Sequence, residues 1–374
     1  MVLDMKSRSS GFCEAAHLVP RPRGLRALIT FATALTPLLP LVAQEVDPRH
    51  TALPPDKEAA VHLQVFLDRA DFSPGKIDGH YGDFTLRALG LYRKANGLAA
   101  PTSADVPTNP NGDNSDPKPS VTDLDLSSAA PIYIDYTVRE ADLKNVGLLP
   151  SAVEAQANLP SLPYQSAGEE IAEKFHTGQK FLEELNPGKI GFLKAGDSVR
   201  VPNVEPFELA AVKDLSQKKS DQPAADSAEN AGPNGKRSTS ALSLKVDTKT
   251  NMLSVYDNDH LVGAYPVTIG SNRTESPLGK WKITGVAKMP DYRHDKAMLE
   301  RGERSSEFAI LPPGPNNPVG VIWIQLNKKG IGLHGTSAPD TIGRSESHGC
   351  IRLANWDVIR LAAKVTAGVA VEIR

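Results

Sequence analysis

The clearest pattern of apolar and polar positions lies in the last third of the chain. Leu242, Leu244 and Val246 alternate with polar residues, the period-two signature of a strand buried on one face. Leu253-Ser254-Val255-Tyr256, a turn at Asp257-Asn258-Asp259 and the run 261–269 predict a hairpin. Further strands are expected at Trp281-Lys282-Ile283, Val321-Ile322-Trp323-Ile324 and Val369, Val371 and Ile373. Helical spacing appears late, in Trp356, Ile359, Leu361 and Ala362 after Asn355, which reads as an N-cap. Residues 241–374 therefore predict a β-rich domain with one main helix near its end.

Two other folded segments are expected ahead of it. In 51–100, Ala59, Val61, Leu63, Val65, Phe66 and Leu67 mark a helix, and Pro74-Gly75 and Asp78-Gly79 mark turns. Thr85 caps or opens a second helix carrying Leu86, Leu89, Leu91 and Tyr92. In 131–205, a strand around Tyr136-Thr137-Val138, two short helices near 171–175 and 182–187, and a closing strand at 193–202 give a βααβ order. Residues 101–130 are rich in Pro, Asn, Asp and Ser, and 214–240 in Ser, Lys, Asp, Ala and Gly. Both read as linkers, because such compositions bury too little apolar surface to offset the entropy of ordering.

At 374 residues the chain has room for several domains, and 40% hydrophobic with 23% charged residues suits small folded units joined by polar segments. A formal charge of −2, with no basic stripe, argues against nucleic acid as a partner. Residues 1–43 have the parts of a secretory signal: Arg21, Arg23 and Arg26, an apolar run from Ala27 to Leu41, and Leu41-Val42-Ala43 ahead of Gln44. Pro37 and Pro40 interrupt that run, so membrane contact is expected only through the export signal, and the mature chain is expected in the periplasm or cell envelope.

If that signal is cleaved, Cys13 leaves with it and Cys350 is the one remaining thiol. A lone thiol in an oxidising compartment is a liability unless it does chemistry. Cys350 stands in Ser347-His348-Gly349-Cys350-Ile351-Arg352, and a second histidine stands upstream in Leu333-His334-Gly335-Thr336. A thiol acts as thiolate and needs a base or a positive neighbour, so His334 and His348 are both candidate bases. Backbone N–H groups around Gly349-Cys350 can face a developing oxyanion. Arg352 can hold a substrate carboxylate through a bidentate contact. A His/His/Cys trio could instead bind zinc, but no acid is placed as a fourth ligand, so no metal or other cofactor is expected.

These residues resemble the L,D-transpeptidase catalytic domain of YkuD type, whose pattern is His-Gly followed by Ser-His-Gly-Cys-hydrophobic-Arg. Ser276-Pro277-Leu278-Gly279-Lys280-Trp281 is similar to that family's Thr-Pro-x-Gly segment, and 312–320 to its loop before the strand bearing Trp323. The resemblance implies that Cys350 attacks a tetrapeptide stem of peptidoglycan, releases the terminal D-residue and passes the acyl group to an amine of another stem or of a protein. It implies that His334 is the base, oriented by the carbonyl of Gly335, with His348, Gly349 and Ser347 supporting the oxyanion side and Arg352, Trp323 and Thr336 lining the substrate path. A cysteine carboxypeptidase that passes the acyl group to water, and a catalytically idle wall-binding protein, are the alternatives.

Residues 51–100, through Leu63-Gln64, Leu67, Ile77-Asp78-Gly79, Tyr81-Gly82 and Gly97-Leu98, resemble a helical peptidoglycan-binding domain. Residues 131–205 resemble a divergent LysM domain, which implies glycan strands as a further partner; about 30 residues separate Val138 from Glu170 where that family has a short turn, so a spacer domain is the alternative. The expected fold is thus multidomain α+β: a β-rich catalytic domain of mixed sheets with one main helix, preceded by a small helical domain and a βααβ domain.

Overall fold

The computed structural model describes residues 53–100, 118–215, 242–270, 276–344 and 349–374, all of them within one compact unit, Asp47–Arg374. The expected export signal, residues 101–117 of the first expected linker, 216–240 of the second, and Ser347 and His348 lie outside the described residues.

The first segment is two helices, α1 (Pro55–Arg69) and α2 (Asp83–Ala95). Proline at the first helical position, with Asp56 and Glu58 in the first turn, suits both the backbone angle and the helix dipole of α1. The N-cap of α2 is Gly82, so the expectation that Thr85 caps the helix is corrected. Thr85 is buried inside the first turn, where its hydroxyl accepts from Gln64 Nε2 at 3.2 Å. Gln64 also accepts from the backbone N–H groups of Asp78 and Gly79, at 3.0 and 2.9 Å, and so locks the turn between the helices.

The second segment runs β1 (Tyr133–Thr137), α3 (Glu140–Leu143), α4 (Val153–Ala157), α5 (Ala167–Lys174), α6 (Gln179–Leu185) and β2 (Ser198–Pro202). β1 and β2 pair antiparallel from Tyr133↔Pro202 to Thr137↔Ser198, with α5 and α6 between them in sequence. A short helix α7 (Ala211–Asp214) follows.

The third segment is built on an eight-stranded sheet. Its strands are β3 (Leu242–Asp247), β4 (Met252–Asp257), β5 (His260–Pro266), β6 (Gly279–Lys288), and, after a two-stranded flap of β7 (Tyr292–His294), helix α8 (Lys296–Arg301) and β8 (Ala309–Leu311), β9 (Ile322–Leu326), β10 (Gly332–His334) and β11 (Ile351–Arg352). Helix α9 (Asn355–Lys364) and β12 (Ala370–Ile373) close the chain. The spatial order is β11-β10-β9-β6-β12-β3-β4-β5. The pairing of β10 with β11 is parallel and sets His334 opposite Arg352. α9 packs its apolar face, with Trp356, Val358, Leu361 and Ala362 buried, against the sheet. Ala354, not Asn355, is the N-cap of α9; the Asn355 side chain turns inward and is fully buried.

The described parts of the three segments are not separated as their compositions suggest. One apolar core takes residues from α1, α2, α5, α6, β1 and β2, and extends to Met252, Leu261 and Ala264 at the edge of the large sheet. Residues 118–130, expected as linker, belong to it: Val121, Leu124 and Leu126 pack against the core and Ala129 is buried. Arg93, buried in α2, grips Asp123 through two 2.6 Å bonds and takes the Ser120 carbonyl at 2.9 Å. A few apolar side chains suffice there because this pair ties the polar stretch down.

Polar contacts join the segments as well. The Asp68 carboxylate is fully buried and meets Arg360 of α9 at 2.7 and 3.2 Å and His176 Nδ1 at 3.0 Å, so the 51–100, 131–205 and 241–374 segments converge on one charge. Burial alone would push that carboxyl up, but the Arg360 guanidinium and His176 hold it well below the usual carboxylate range. The His176 ring stacks on Trp356 with centroids 5.4 Å apart. Ser73 donates to Asp357 at 3.0 Å, and Tyr265 donates to Asp71 at 2.8 Å.

Candidate active site

His334 ends β10 and is 3% exposed. Its Nδ1 lies 2.6 Å from the carbonyl oxygen of Gly335, and a carbonyl can only accept, so Nδ1 carries the proton and Nε2 is left with a free lone pair. The ring lies flat on Trp323, its neighbour across the β9–β10 pair, with centroids 5.3 Å apart and planes 10° from parallel. Burial pushes the imidazole down to about 4; the Gly335 carbonyl opposes that shift and the positive charge of Arg352 adds to it. His334 is therefore neutral at physiological pH.

Cys350 is a half-buried cysteine one residue before β11, beyond Gly349, whose φ of +98° suits only glycine without strain. Its Sγ lies 3.6 Å from the Gly330 carbonyl. Burial pushes the thiol up, against the pull of the Gly332 N–H and of Arg352. At neutral pH the thiol and the imidazole are thus both uncharged. Were the thiol proton to pass to the imidazole as sulfur attacks, charge would arise in the transition state and not in the ground state.

Parallel pairing of β10 and β11 brings Arg352 into the same site, and its own strand is pinned by reciprocal 2.9 Å backbone bonds with Thr268. Trp323 forms the wall beneath the histidine ring. Thr336 is buried, and its hydroxyl accepts from the Ala338 N–H at 3.2 Å, which shapes the loop after His334. Ser347 and His348, expected at the oxyanion side, lie outside the described residues.

Tyr292 is a site residue that the sequence reading passed over. It sits on the β7–β8 flap, paired with Leu311, and burial pushes its phenol above the ordinary value while the charges of Arg352 and Cys350 act on it. It thus lies within electrostatic reach of both. Its surroundings in sequence are polar and carry no motif, so only the placement of the flap marks it out.

A half-buried thiol just ahead of β11 and a buried, carbonyl-oriented imidazole on its parallel neighbour β10 form a candidate acyl-transfer site in a β-rich domain. Residues 242–373 match the YkuD family, the L,D-transpeptidase catalytic domain. The curated "Putative L,D-transpeptidase YkuD" of Bacillus licheniformis is 27% identical over 208 residues, covering 55% of this chain and 92% of that protein. The protein of the same name from Bacillus subtilis is 30% identical over 204 residues, covering 54% of this chain and 90% of its own length. A solved L,D-transpeptidase from Mycobacterium smegmatis is similar at 17% identity and a TM-score of 0.30, over 36% of this chain and 59% of that one. The chain belongs to the L,D-transpeptidase family of YkuD type. The 55% share aligned with the Bacillus licheniformis protein exceeds residues 242–373, so the likeness runs into the segments ahead of the catalytic domain.

Proposed function

We propose that this chain is an exported L,D-transpeptidase that acts on peptidoglycan stem peptides, with Cys350 as nucleophile and His334 as general base. The observation that carries this reading is the Nδ1–H bond from His334 to the Gly335 carbonyl, which leaves Nε2 as an acceptor in the site that holds Cys350. In the first half-reaction Sγ attacks the carbonyl after the third residue of a tetrapeptide stem while Nε2 takes the thiol proton. The tetrahedral oxyanion faces the N–H groups around Gly349-Cys350. His334 then gives its proton to the departing amine, and the terminal D-residue leaves, with a thioester on Cys350. In the second half-reaction an amine of another stem, or of a protein, attacks the thioester; His334 takes its proton and returns one to sulfur. Arg352 holds a stem carboxylate.

The sequence pattern of residues 1–43 supports export to the periplasm or envelope. Residues 51–100 and 131–205 serve in this reading to hold the wall. Because their described parts pack directly on the catalytic domain, a strand held there is presented at a set position instead of swinging on a tether. The test is incubation of the purified chain with disaccharide-tetrapeptides, followed by mass spectrometry. Dimers and exchanged products are expected from the wild type and none from Cys350→Ala. Tripeptides alone would assign the acyl group to water and make the chain a carboxypeptidase. A Cys350→Ala protein with wild-type turnover would refute the nucleophile.

A further inference from the structure

The loop that carries the acceptor carbonyl for His334 is braced by Asn355, which is itself held by a side chain from outside the catalytic domain. Asn355 fills the space between Gly335 and Gly320: a Cβ on either glycine would fall 2.1 or 2.2 Å from Asn355 Oδ1. That same oxygen accepts from the Val321 N–H at 3.1 Å, which anchors the turn at Gly320, where φ is +63°. The Gly335 N–H reaches the Ile322 carbonyl at 3.2 Å, which ties Gly335 to the Gly320–Ile322 stretch. All of this depends on which way the Asn355 amide points, since a flipped amide would set its NH2 against the Val321 N–H.

The Asn355 Nδ2 group settles that orientation by donating to Glu173 Oε1 at 2.9 Å, with a longer contact to the Pro315 carbonyl at 3.4 Å. Glu173 belongs to α5, 182 positions away and ahead of the matched family domain. It is 6% exposed, and its other oxygen is held by the Tyr164 hydroxyl. A buried carboxyl costs free energy unless its partners are in place. Here the partners lead in order to Asn355, to the Gly320 turn and Gly335, and to the Nδ1 proton of His334.

We infer that Glu173 is a positioning residue for His334, acting through Asn355 and the Gly320/Gly335 contact, so that the segment preceding the catalytic domain completes the site. The inference rests on His334 being the base. It explains why a solvent-excluded acid of the 131–205 segment is aimed at the first residue of α9. Burial pushes the Glu173 carboxyl up to about 7, and in either protonation state Oε1 can accept from Asn355. Glutamine offers the same acceptor, and leucine offers none.

The experiment uses the full chain and compares Glu173→Gln, Glu173→Leu and Asn355→Asp with Cys350→Ala and His334→Ala as controls. The readouts are kcat and KM on disaccharide-tetrapeptide and the 15N signals of the His334 ring. Misplacement of a reacting group by about an ångström costs on the order of 10²-fold in rate. Glu173→Leu and Asn355→Asp are therefore expected to lose about that in kcat with little change in KM, and to show mixed Nδ1–H and Nε2–H forms. Glu173→Gln is expected to keep both the rate and the single Nδ1–H form. Should Glu173→Leu fail to fold, Asn355→Asp and Glu173→Gln decide the matter by the same ring signals. Wild-type kcat in Asn355→Asp or Glu173→Leu, with His334→Ala inactive, would overturn the inference, as would a Gln variant as slow as the Leu variant. Activity in His334→Ala or Cys350→Ala would instead overturn the underlying assignment of the site.

Discussion

Replacing Arg360 by methionine tests whether the described segments form one cooperative structure. The Asp68 carboxylate is fully buried, and Arg360 contributes both of its Nη contacts to it. Methionine keeps the stem of the side chain and removes the charge. Breaking a buried pair from one side costs about 3–5 kcal/mol because the remaining charge is uncompensated. His176 still faces Asp68 at 3.0 Å, but burial pushes its own titration down, so at neutral pH it offers a hydrogen bond and not a full charge. The lower end, about 3 kcal/mol, is expected. At about 2–4 °C per kcal/mol, that is a drop of about 6–12 °C in Tm.

The assay is calorimetry of the full chain at pH 7 and at pH 4, with Asp68→Asn and the double variant completing a cycle. Asp68 titrates below its ordinary 3.8 in the folded chain, so its pairing stabilises above that pH and is lost as pH falls through the folded value. Without Arg360 the same carboxyl is governed by burial and takes up a proton at higher pH, so the deficit of Arg360→Met should shrink on acidification. The double variant, with neither charge, should recover much of the loss. A change under about 0.5 kcal/mol for Arg360→Met would refute the reasoning, since that is the range of ordinary surface substitutions. So would separate transitions in the wild type, which are what three independent modules would give.

Other outcomes follow from the site. The acid limb of Cys350 acylation by a carbapenem should fall near pH 4, because the neutral imidazole is required and burial holds His334 at about 4; a limb near 6.5 would mean the ring is solvated. The same shift means that protonation between the unfolded 6.5 and the folded value favours unfolding, so stability should decline by about 3 kcal/mol in total as pH falls through that window, and His334→Gln should lack that decline. Gly335→Ala should cost about 1–3 kcal/mol from overpacking, since its Cβ would lie 2.1 Å from Asn355 Oδ1, and should slow acylation by more than its stability loss explains; denaturant melts and adduct kinetics on one preparation would separate the two, and unchanged acylation would sever the loop from the histidine.

The reach of the sequence can be judged residue by residue. Period-two runs at 242–246 and 253–256 became β3 and β4, and helical spacing at 356–362 became α9, because a side chain's face is set by local backbone geometry. His334-Gly335 and Gly349-Cys350-Ile351-Arg352 could be singled out for a similar reason: the proposed chemistry needs those residue types in a short register. What composition could not show was which polar residues would find partners far along the chain. Asp68 and Arg360 are 292 positions apart and Glu173 and Asn355 are 182 apart, and each alone reads as an ordinary charged or capping residue. Residues 118–130 read as solvated linker, yet Asp123 is bound by Arg93 and the apolar few among them are packed. Tyr292 carries no motif and reaches the site only through the fold of the flap. Local pattern determined the elements and the chemical residue types. The pairing of buried charges, which decides how the segments join and what braces the histidine, is set only when the tertiary fold removes water from between them.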